Sequence, residues 1–131
     1  MKLLTKKIAS QLIETYQHAA ETGEGGKQVL AKFFTPWSNC TWFITEGMPV
    51  LDDGEPVAAD RVDAIIDPNA YDWHLFGFCD IGDVYCAELG YVMLSDLTGL
   101  HGPVGLRVER DLYYAGSLAD VLQKYEQARA A

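Results

Sequence analysis

The stretch from Lys32 to Trp42, KFFTPWSNCTW, constrains the fold more than any other part of this sequence. Bulky residues stand on both sides of it, as Phe33-Phe34 and as Thr41 to Thr45, and a short polar segment with proline, serine and asparagine lies between them. β-Branched and aromatic residues favour strands, whereas Pro, Ser and Asn favour turns. The pattern therefore predicts a β-hairpin, with one strand over Val29 to Thr35 and its partner over Thr41 to Thr45.

A second hairpin is predicted between Trp73–Ile81 and Val84–Leu94. The residues that join them, Gly82-Asp83, suit a two-residue type II′ turn with glycine first. With that turn, Cys79 lies opposite Cys86, and their Cα atoms are expected about 5.5 Å apart. We expect two neighbouring, buried and unbridged thiols that pack as small apolar groups.

Helices are predicted at both ends of the chain. Thr5 can cap the first helix, whose apolar residues recur with a helical period. Ser117 and Asp120 form a serine/acid capping box at the start of the last one. Together with the two hairpins and a further strand over Val108 to Tyr114, these helices predict an α+β fold. We expect an antiparallel sheet of four to five strands, with the N- and C-terminal helices packed on one face.

The length of 131 residues fits a single domain over residues 1–131. Within it, residues 47–72 are interpreted as an acidic, irregular insertion, because prolines and an Asp-Asp-Gly turn interrupt any regular period. Arg61 to Ile66 predicts a short strand or a turn of helix inside this part. Ser95 to Leu97 predicts the start of another short helix, which ends at Gly99 or at Gly102-Pro103.

The composition indicates a folded, non-membrane protein. A hydrophobic fraction of 49% and fifteen aromatic residues argue against disorder. No apolar run approaches the roughly 20 residues that cross a bilayer, and MKLLTKKIAS lacks the uninterrupted apolar core of a secretory signal. Three widely spaced cysteines do not fit a disulfide scaffold. We therefore expect a cytoplasmic protein with reduced thiols and no membrane contact.

Negative charge is concentrated in the middle of the chain. Residues 46–96 contain twelve Asp or Glu and one basic residue, Arg61, and so carry −11, whereas the whole chain carries −9. Proteins that bind nucleic acid directly present a basic surface, so this class is not expected. Two interpretations remain: a solvating surface, or a contact surface on which carboxylates stand in for the phosphates that a basic protein partner binds. For the second interpretation, the predicted contact residues are Asp52, Asp53, Glu55, Asp60, Asp63, Asp67 and, at the bend of the first hairpin, Trp37.

No catalytic or metal-binding signature is found in the sequence. The three histidines and three cysteines form no CxxC, HExxH or HxH pattern, and we expect neither a metal nor a cofactor. A redox disulfide in the second hairpin and a cysteine nucleophile stay open, although nothing assigns a base to the nucleophile. Glu88, Glu109 and Asp111 stand among apolar residues, where acid–base chemistry is conceivable. Ion pairing is the simpler interpretation for the last two, because Arg107 and Arg110 lie beside them.

Four stretches carry a family resemblance: MKLLTK, KFFTPWSNCTWFITEG, ELGYVMLSDL and GPVGLRVERDLYY. In order and spacing they are similar to a family of small bacterial proteins, common on plasmids and other mobile elements, that is classified as a domain of unknown function. The resemblance covers Met1 to Tyr114, except the acidic part from about Met48 to Tyr71, which is longer here than in the family pattern. It implies no catalytic residues. It implies a context in which accessory proteins meet restriction, CRISPR or replication machinery.

Three classes of function follow from these observations. The first is a non-enzymatic acidic interaction protein, a nucleic-acid mimic, that acts as an accessory or inhibitor on a basic nucleic-acid-processing partner. The second is a structural or assembly module whose acidity is incidental. The third is a small ligand-binding protein or enzyme that uses the aromatic hairpin. The sequence does not indicate the oligomeric state.

Overall fold

The computed structural model describes residues 2–23, 26–51 and 62–131. The strands of these residues are β1 (Ala31–Phe34), β2 (Thr41–Val50), β3 (Asp72–Asp80), β4 (Glu88–Met93) and β5 (Glu109–Arg110). Their helices are α1 (Lys6–Gln17), α2 (Ala19–Thr22), α3 (Val62–Ile66), α4 (Leu94–Thr98) and α5 (Leu118–Ala130), with 3₁₀ turns over Pro68–Ala70 and Pro103–Gly105. The strands form one antiparallel sheet in the order β4-β3-β2-β1-β5. The predicted α+β class, with a five-stranded sheet and helices at both ends, is confirmed.

β2 and β3 are the longest strands, and their pairing runs from Thr41 opposite Asp80 to Val50 opposite Asp72. The register shifts between Ile44 and Glu46, which makes Thr45 the extra residue of a β-bulge. Its hydroxyl donates a hydrogen bond to the carbonyl of Phe76 at 3.3 Å. β2 therefore continues five residues beyond the predicted Thr41–Thr45, because pairing with β3 holds residues that local turn signals marked as irregular.

One hydrophobic cluster joins the sheet to the first helix. Leu12 of α1 is fully buried and packs with Phe33, Ile44, Trp73 and Leu75, which are also fully buried. The helix begins where the sequence predicted, since the Thr5 hydroxyl accepts a hydrogen bond from the backbone N–H of Ile8 at 3.1 Å. We call this side of the sheet the α1 face.

A second cluster lies on the other side of the sheet. Leu118 and Val121 of α5 pack there with Phe43 and Phe78. Phe43 stands between Trp42 and Ile44 in β2, and successive strand residues point to opposite sides. We call this side the α5 face. The terminal helices therefore cover opposite faces, which corrects the expectation that both pack on one. A helical apolar period predicts that a helix is buried but does not identify the face that it covers.

The first hairpin is confirmed. Phe34 pairs with Thr41, and the loop between them is closed by hydrogen bonds of 3.1 Å from the N–H of Thr35 to the Cys40 carbonyl and from the N–H of Cys40 to the Thr35 hydroxyl. Sequence patterns identified this hairpin because the contacts that close its loop join residues close together in the chain.

The second hairpin has a different register from the one predicted. Cys79 pairs with Glu88, and Phe76 pairs with Tyr91. Cys86 lies in the connecting loop, is exposed, and donates a hydrogen bond to Asp83 at 3.5 Å. The predicted pair of buried, neighbouring thiols is wrong. The two-residue turn fails because acidic side chains stabilise a longer loop: Asp80 accepts from the N–H of Gly82 at 2.8 Å, and Asp83 accepts from that of Tyr85 at 2.9 Å.

The predictions for the smaller elements are confirmed only in part. The last strand is limited to Glu109–Arg110 rather than Val108 to Tyr114. Residues 62–66 are helical rather than extended. The short helix α4 ends at Thr98, with Gly99 as its C-cap, and the Ser117–Asp120 capping box is confirmed at the start of α5. None of the described helices is long and apolar enough to cross a membrane.

Gly77 and Gly90 are cross-strand partners that offer a matched test of this packing. A Cβ atom on Gly77 would lie 1.9 Å from the carbonyl oxygen of Phe43, whereas a Cβ on Gly90 would meet nothing within 4 Å. We expect Gly77→Ala to lower the free energy of unfolding by about 2–3 kcal/mol, because β2 would have to move. Gly90→Ala should change it by less than about 0.5 kcal/mol. Urea denaturation measures both, and equal effects would contradict the close approach of β2 and β3.

Candidate functional site

The α5 face is only partly covered by its helix. Three aromatic rings near the β4 edge of this face form a contiguous group, which we call the aromatic patch: His74, Phe76 and Tyr91. The rings of His74 and Tyr91 are stacked at 4.5 Å between centroids, and those of Phe76 and Tyr91 lie 4.8 Å apart with a tilt of 56°. Tyr91 remains 66% exposed, although it is a large amphipathic side chain on a regular strand. A stacked aromatic group at the surface is a favourable place for contact with a partner.

A buried ion pair lies against the patch. The Nζ of Lys27 is 2.6 Å from the Oε1 of Glu46, and each side chain is 8% exposed. The same Nζ lies 5.4 Å from the centroid of the Phe76 ring. An ammonium group at that distance is attracted by the ring quadrupole. The patch thus already places one of its rings against a cation.

The part of the chain that carries the patch is acidic throughout. Residues 62–106, all described, contain seven Asp or Glu and neither Lys nor Arg. None of the following carboxylates forms an ion pair with a residue in the described ranges: Asp67, Asp72, Asp80, Asp83, Glu88 and Asp96. Two described arginines contact backbone carbonyls of this part of the chain: Arg107 donates to Thr98, and Arg129 of α5 donates to Val84 and Ala87. The negative charge is therefore not cancelled by contacts within residues 62–106.

Several of these carboxylates hold loops and helix ends instead. Asp72 accepts hydrogen bonds from the backbone and hydroxyl of Ser95, at 2.9 and 2.7 Å. Asp96 accepts from the N–H of Met93 at 3.3 Å and caps α4. These donors are neutral, so the contacts do not cancel the negative charge of the two carboxylates. Glu88 is exposed, and nothing in the described structure donates a hydrogen bond to its carboxylate.

Burial shifts the pKa of two titratable groups, Cys79 in β3 and Tyr125 of α5. Burial raises the pKa of the Cys79 thiol to about 11, and the neighbouring charge of Glu88 adds to the effect. Burial also raises the pKa of the Tyr125 hydroxyl, with a further contribution from the hydrogen bond that it donates to Asp80. A protonated thiol at neutral pH is a poor nucleophile, so this environment does not activate Cys79.

A groove of about 440 Å³ lies beside α5, at the end of the α5 face nearest β1. We call it the α5 groove; its wall includes Lys32, Phe43, Tyr114, Lys124 and Tyr125. The Nζ of Lys32 is 5.0 Å from the Tyr114 ring and 5.6 Å from the Phe43 ring. The Oδ2 of Asp111 lies 3.6 Å from the same Nζ, so the positive charge of Lys32 is already partly compensated.

Most of the predicted contact residues lie outside the described ranges. Asp52, Asp53, Glu55 and Asp60 fall between residues 51 and 62. Asp63 and Asp67 are described and exposed, and the carboxylate of Asp63 accepts a hydrogen bond from the Tyr71 hydroxyl.

Trp37 is half-buried and packs against the cluster of the α1 face. A Cβ atom at Gly102 would come 2.3 Å from its ring, so the indole lies directly on that glycine. This contact explains why a tryptophan stands at the bend of the hairpin. Its proposed contact with a partner stays a prediction.

Sequence reasoning missed the aromatic patch. His74 and Phe76 alternate in β3 as residues of one strand face do, and this signal was present in the sequence. In the predicted register Tyr91 would lie opposite His74, whereas in the structure it lies opposite Phe76. A shift of two residues keeps a side chain on the same face, so Tyr91 is on the face of these two rings in either register. The sequence signal for the patch was therefore present, and what it did not show is that Tyr91 remains exposed beside α5.

Arg107, Arg110 and Asp111 have structural partners. Arg107 donates to the carbonyl of Thr98 at 3.0 Å, and Arg110 donates to that of Leu3 at 2.6 Å. The cation that pairs with Asp111 is Lys32, not one of the two neighbouring arginines. Among the described residues, no three His, Cys, Asp or Glu side chains are grouped closely enough to hold a metal ion.

The Lys27–Glu46 pair gives a prediction about stability. Glu46→Gln leaves a buried ammonium group without its counter-charge, and we expect it to lower the free energy of unfolding by about 3 kcal/mol. The exposed Glu14→Gln should cost less than about 0.5 kcal/mol. Replacing both partners, as Lys27→Met with Glu46→Leu, should restore much of the loss, since no charge is left buried. A cost for Glu46→Gln equal to that of Glu14→Gln in urea denaturation would contradict the pairing.

Comparison with known proteins adds a family and no activity. No curated protein and no solved structure matches the chain. The sequence pattern of one family matches residues 3–59 and 59–131, which together cover nearly the whole chain. The two matched parts meet at residue 59, between the described ranges that end at 51 and begin at 62. This chain belongs to the family described as protein of unknown function (DUF2958).

Proposed function

We propose that this protein is a non-enzymatic acidic interaction protein that binds a basic protein partner through the aromatic patch. The observation that carries the proposal is a stacked aromatic group whose outer ring, Tyr91, is exposed. It lies within residues 62–106, which contain seven acidic residues and no Lys or Arg. Carboxylates attract a cationic partner over a distance, and exposed rings then receive its side chains. The proposal thus combines electrostatic steering with a local contact.

The chemistry of the patch favours arginine in the partner. A guanidinium group is planar, stacks on aromatic rings and is less strongly hydrated than an ammonium group. Tyr91 is exposed enough to receive one, and the Lys27–Phe76 contact is an example of cation binding on the same group of rings. Glu88, in the same strand as Tyr91, supplies a carboxylate for a second cation.

The acidic residues at positions 52–60 extend this proposal. Asp52, Asp53, Glu55 and Asp60 add four negative charges in sequence next to the described acidic part. A surface of this charge would compete with nucleic acid for a basic nucleic-acid-processing enzyme, as a mimic of the phosphate backbone. The mobile-element setting that the family resemblance implies would bring such enzymes close. These residues and Trp37 are proposed as secondary contacts.

The α5 groove supports a second candidate function, binding of a small ligand. Its volume of about 440 Å³ is within the usual range of ligand sites, about 300–1,000 Å³, and it combines aromatic walls with Lys32 and Lys124. Such binding would be insensitive to changes in the aromatic patch. The two functions are therefore separable by mutation.

Replacing Tyr91 tests the proposed function. We expect the protein to bind a nine-residue arginine-rich peptide about two- to fivefold more tightly than a lysine-rich peptide of equal length and charge, because exposed cation–π contacts contribute about 0.5–1 kcal/mol. Tyr91→Ala should abolish this preference for arginine. Tyr113→Ala is the matched control, since Tyr113 is 94% exposed beyond β5, at the opposite edge of the sheet. Fluorescence anisotropy measures the dissociation constants.

The salt dependence of peptide binding is a second test of the proposed function. Binding should weaken steeply between 50 and 300 mM NaCl, since exposed charges are screened within about 10 Å at 0.1 M. Glu88→Gln should reduce this salt dependence, whereas Glu14→Gln on α1 should not. An arginine preference that survives in Tyr91→Ala, or that is lost equally in Tyr113→Ala, would contradict the role of the patch.

A further inference from the structure

We infer that the basic partner binds as an extended strand added to the outer edge of β4, with two arginines spaced three residues apart. This inference rests on the proposed function and specifies how the partner contacts the patch. It follows from the sheet order, from the side-chain directions in β4 and from the open space at one glycine.

The two edges of the sheet differ. β5 has two residues, both charged, and Arg110 is tied to the carbonyl of Leu3. The other edge, β4, has six residues in continuous register with β3, and its sequence ELGYVM contains no Pro or Lys. In the described parts of the chain no strand pairs with its outer side. Natural proteins usually protect such edges with prolines, lysines, bulges or very short strands.

A regular edge that no described strand covers is suited to β-strand addition, in which main-chain hydrogen bonds give affinity and alternate side chains give specificity. A strand from a partner would extend the sheet by one strand of the same antiparallel kind. The acidic surroundings select a basic segment for this position. The charge of residues 62–106 therefore argues for an arginine-bearing strand rather than a second copy of this acidic chain.

The side chains of β4 specify where the cations would lie. Tyr91 is opposite Phe76 and points to the α5 face, whereas Glu88 is opposite Cys79 and points to the α1 face. In a paired strand, residues directly opposite share a face and have Cβ atoms about 4.5–5.5 Å apart. One arginine opposite Tyr91 could stack on its ring, and another opposite Glu88 could pair with its carboxylate. The two arginines stand at positions i and i+3, with two residues between them, and an odd difference puts two strand residues on opposite faces.

Gly90 and Leu89 specify the two residues between the arginines. A Cβ atom at this position would meet nothing within 4 Å, so the α1 face has open space there. A large side chain on the added strand, opposite Gly90, would fill that space. The next position lies opposite Leu89, which is half-buried on the α5 face and favours an aliphatic partner. Read antiparallel to β4, the preferred core is arginine, phenylalanine, valine, arginine.

N-methylation of the peptide backbone tests the inference. In an antiparallel pair, alternate residues of the added strand direct their N–H groups toward β4, and the others direct them away. We use two versions of a nine-residue peptide with the arginine-phenylalanine-valine-arginine core, each methylated at one alternate set of backbone nitrogens. One version should bind the full-length protein at least tenfold more weakly than the unmodified peptide, and the other should bind within about twofold. Each is the matched control of the other, since charge, length and number of methyl groups are equal.

The outcomes separate the inference from the proposed function. If both methylated versions bind as well as the unmodified peptide, or both lose binding equally, strand addition is overturned while the aromatic and acidic contact stands. If the unmodified peptide does not bind more tightly than a peptide with glutamate in place of arginine, the proposed function fails and the inference with it. Moving the two arginines to a spacing of two should weaken binding about fivefold or more, and no effect of spacing would overturn the assigned register.

Discussion

The pairing of β2 with β3 is the interaction on which the rest of the structure depends. These strands place Ile44 and Leu75 in the cluster under α1, and Phe43 and Phe78 in the cluster under α5. The pairing needs a glycine at position 77, because any side chain there would meet the backbone of β2. One strand pair therefore provides both hydrophobic clusters, and every other element is attached to it directly or through a neighbour.

The same pairing leaves part of one face open. α5 packs on Phe43 and Phe78, whereas the rings that follow along β3, Phe76 and His74, are covered only in part. Tyr91 of the edge strand joins them and stays largely exposed. Several carboxylates of residues 62–106 hold loops and helix ends through neutral donors, and these contacts do not cancel their negative charge. Stability and the acidic surface are therefore compatible in this chain.

The sequence predicted what local chemistry determines and missed what depends on distant contacts. The first hairpin, the Thr5 cap and the Ser117 capping box were all identified, because each depends on residues close together in the chain. The second hairpin was predicted two residues out of register, because hydrogen bonds to Asp80 and Asp83 stabilise a longer loop than the Gly-Asp pair alone indicates. This difference of two residues keeps His74, Phe76 and Tyr91 on one face, so the rings could be grouped from the sequence, whereas single-strand patterns do not show that α5 leaves Tyr91 exposed. Single-strand patterns also do not show which side of the sheet each terminal helix covers.

Chemical-shift mapping on the ¹⁵N-labelled protein tests most directly the claim that the β4 edge and its aromatic patch are the contact surface. The probe is the unmodified peptide with the arginine-phenylalanine-valine-arginine core. Our account predicts that the largest amide shift changes lie in Leu89–Met93 and at His74 and Phe76, and that amide exchange slows at alternate residues of β4. Changes confined to the α5 groove, or to residues 52–60, would contradict it.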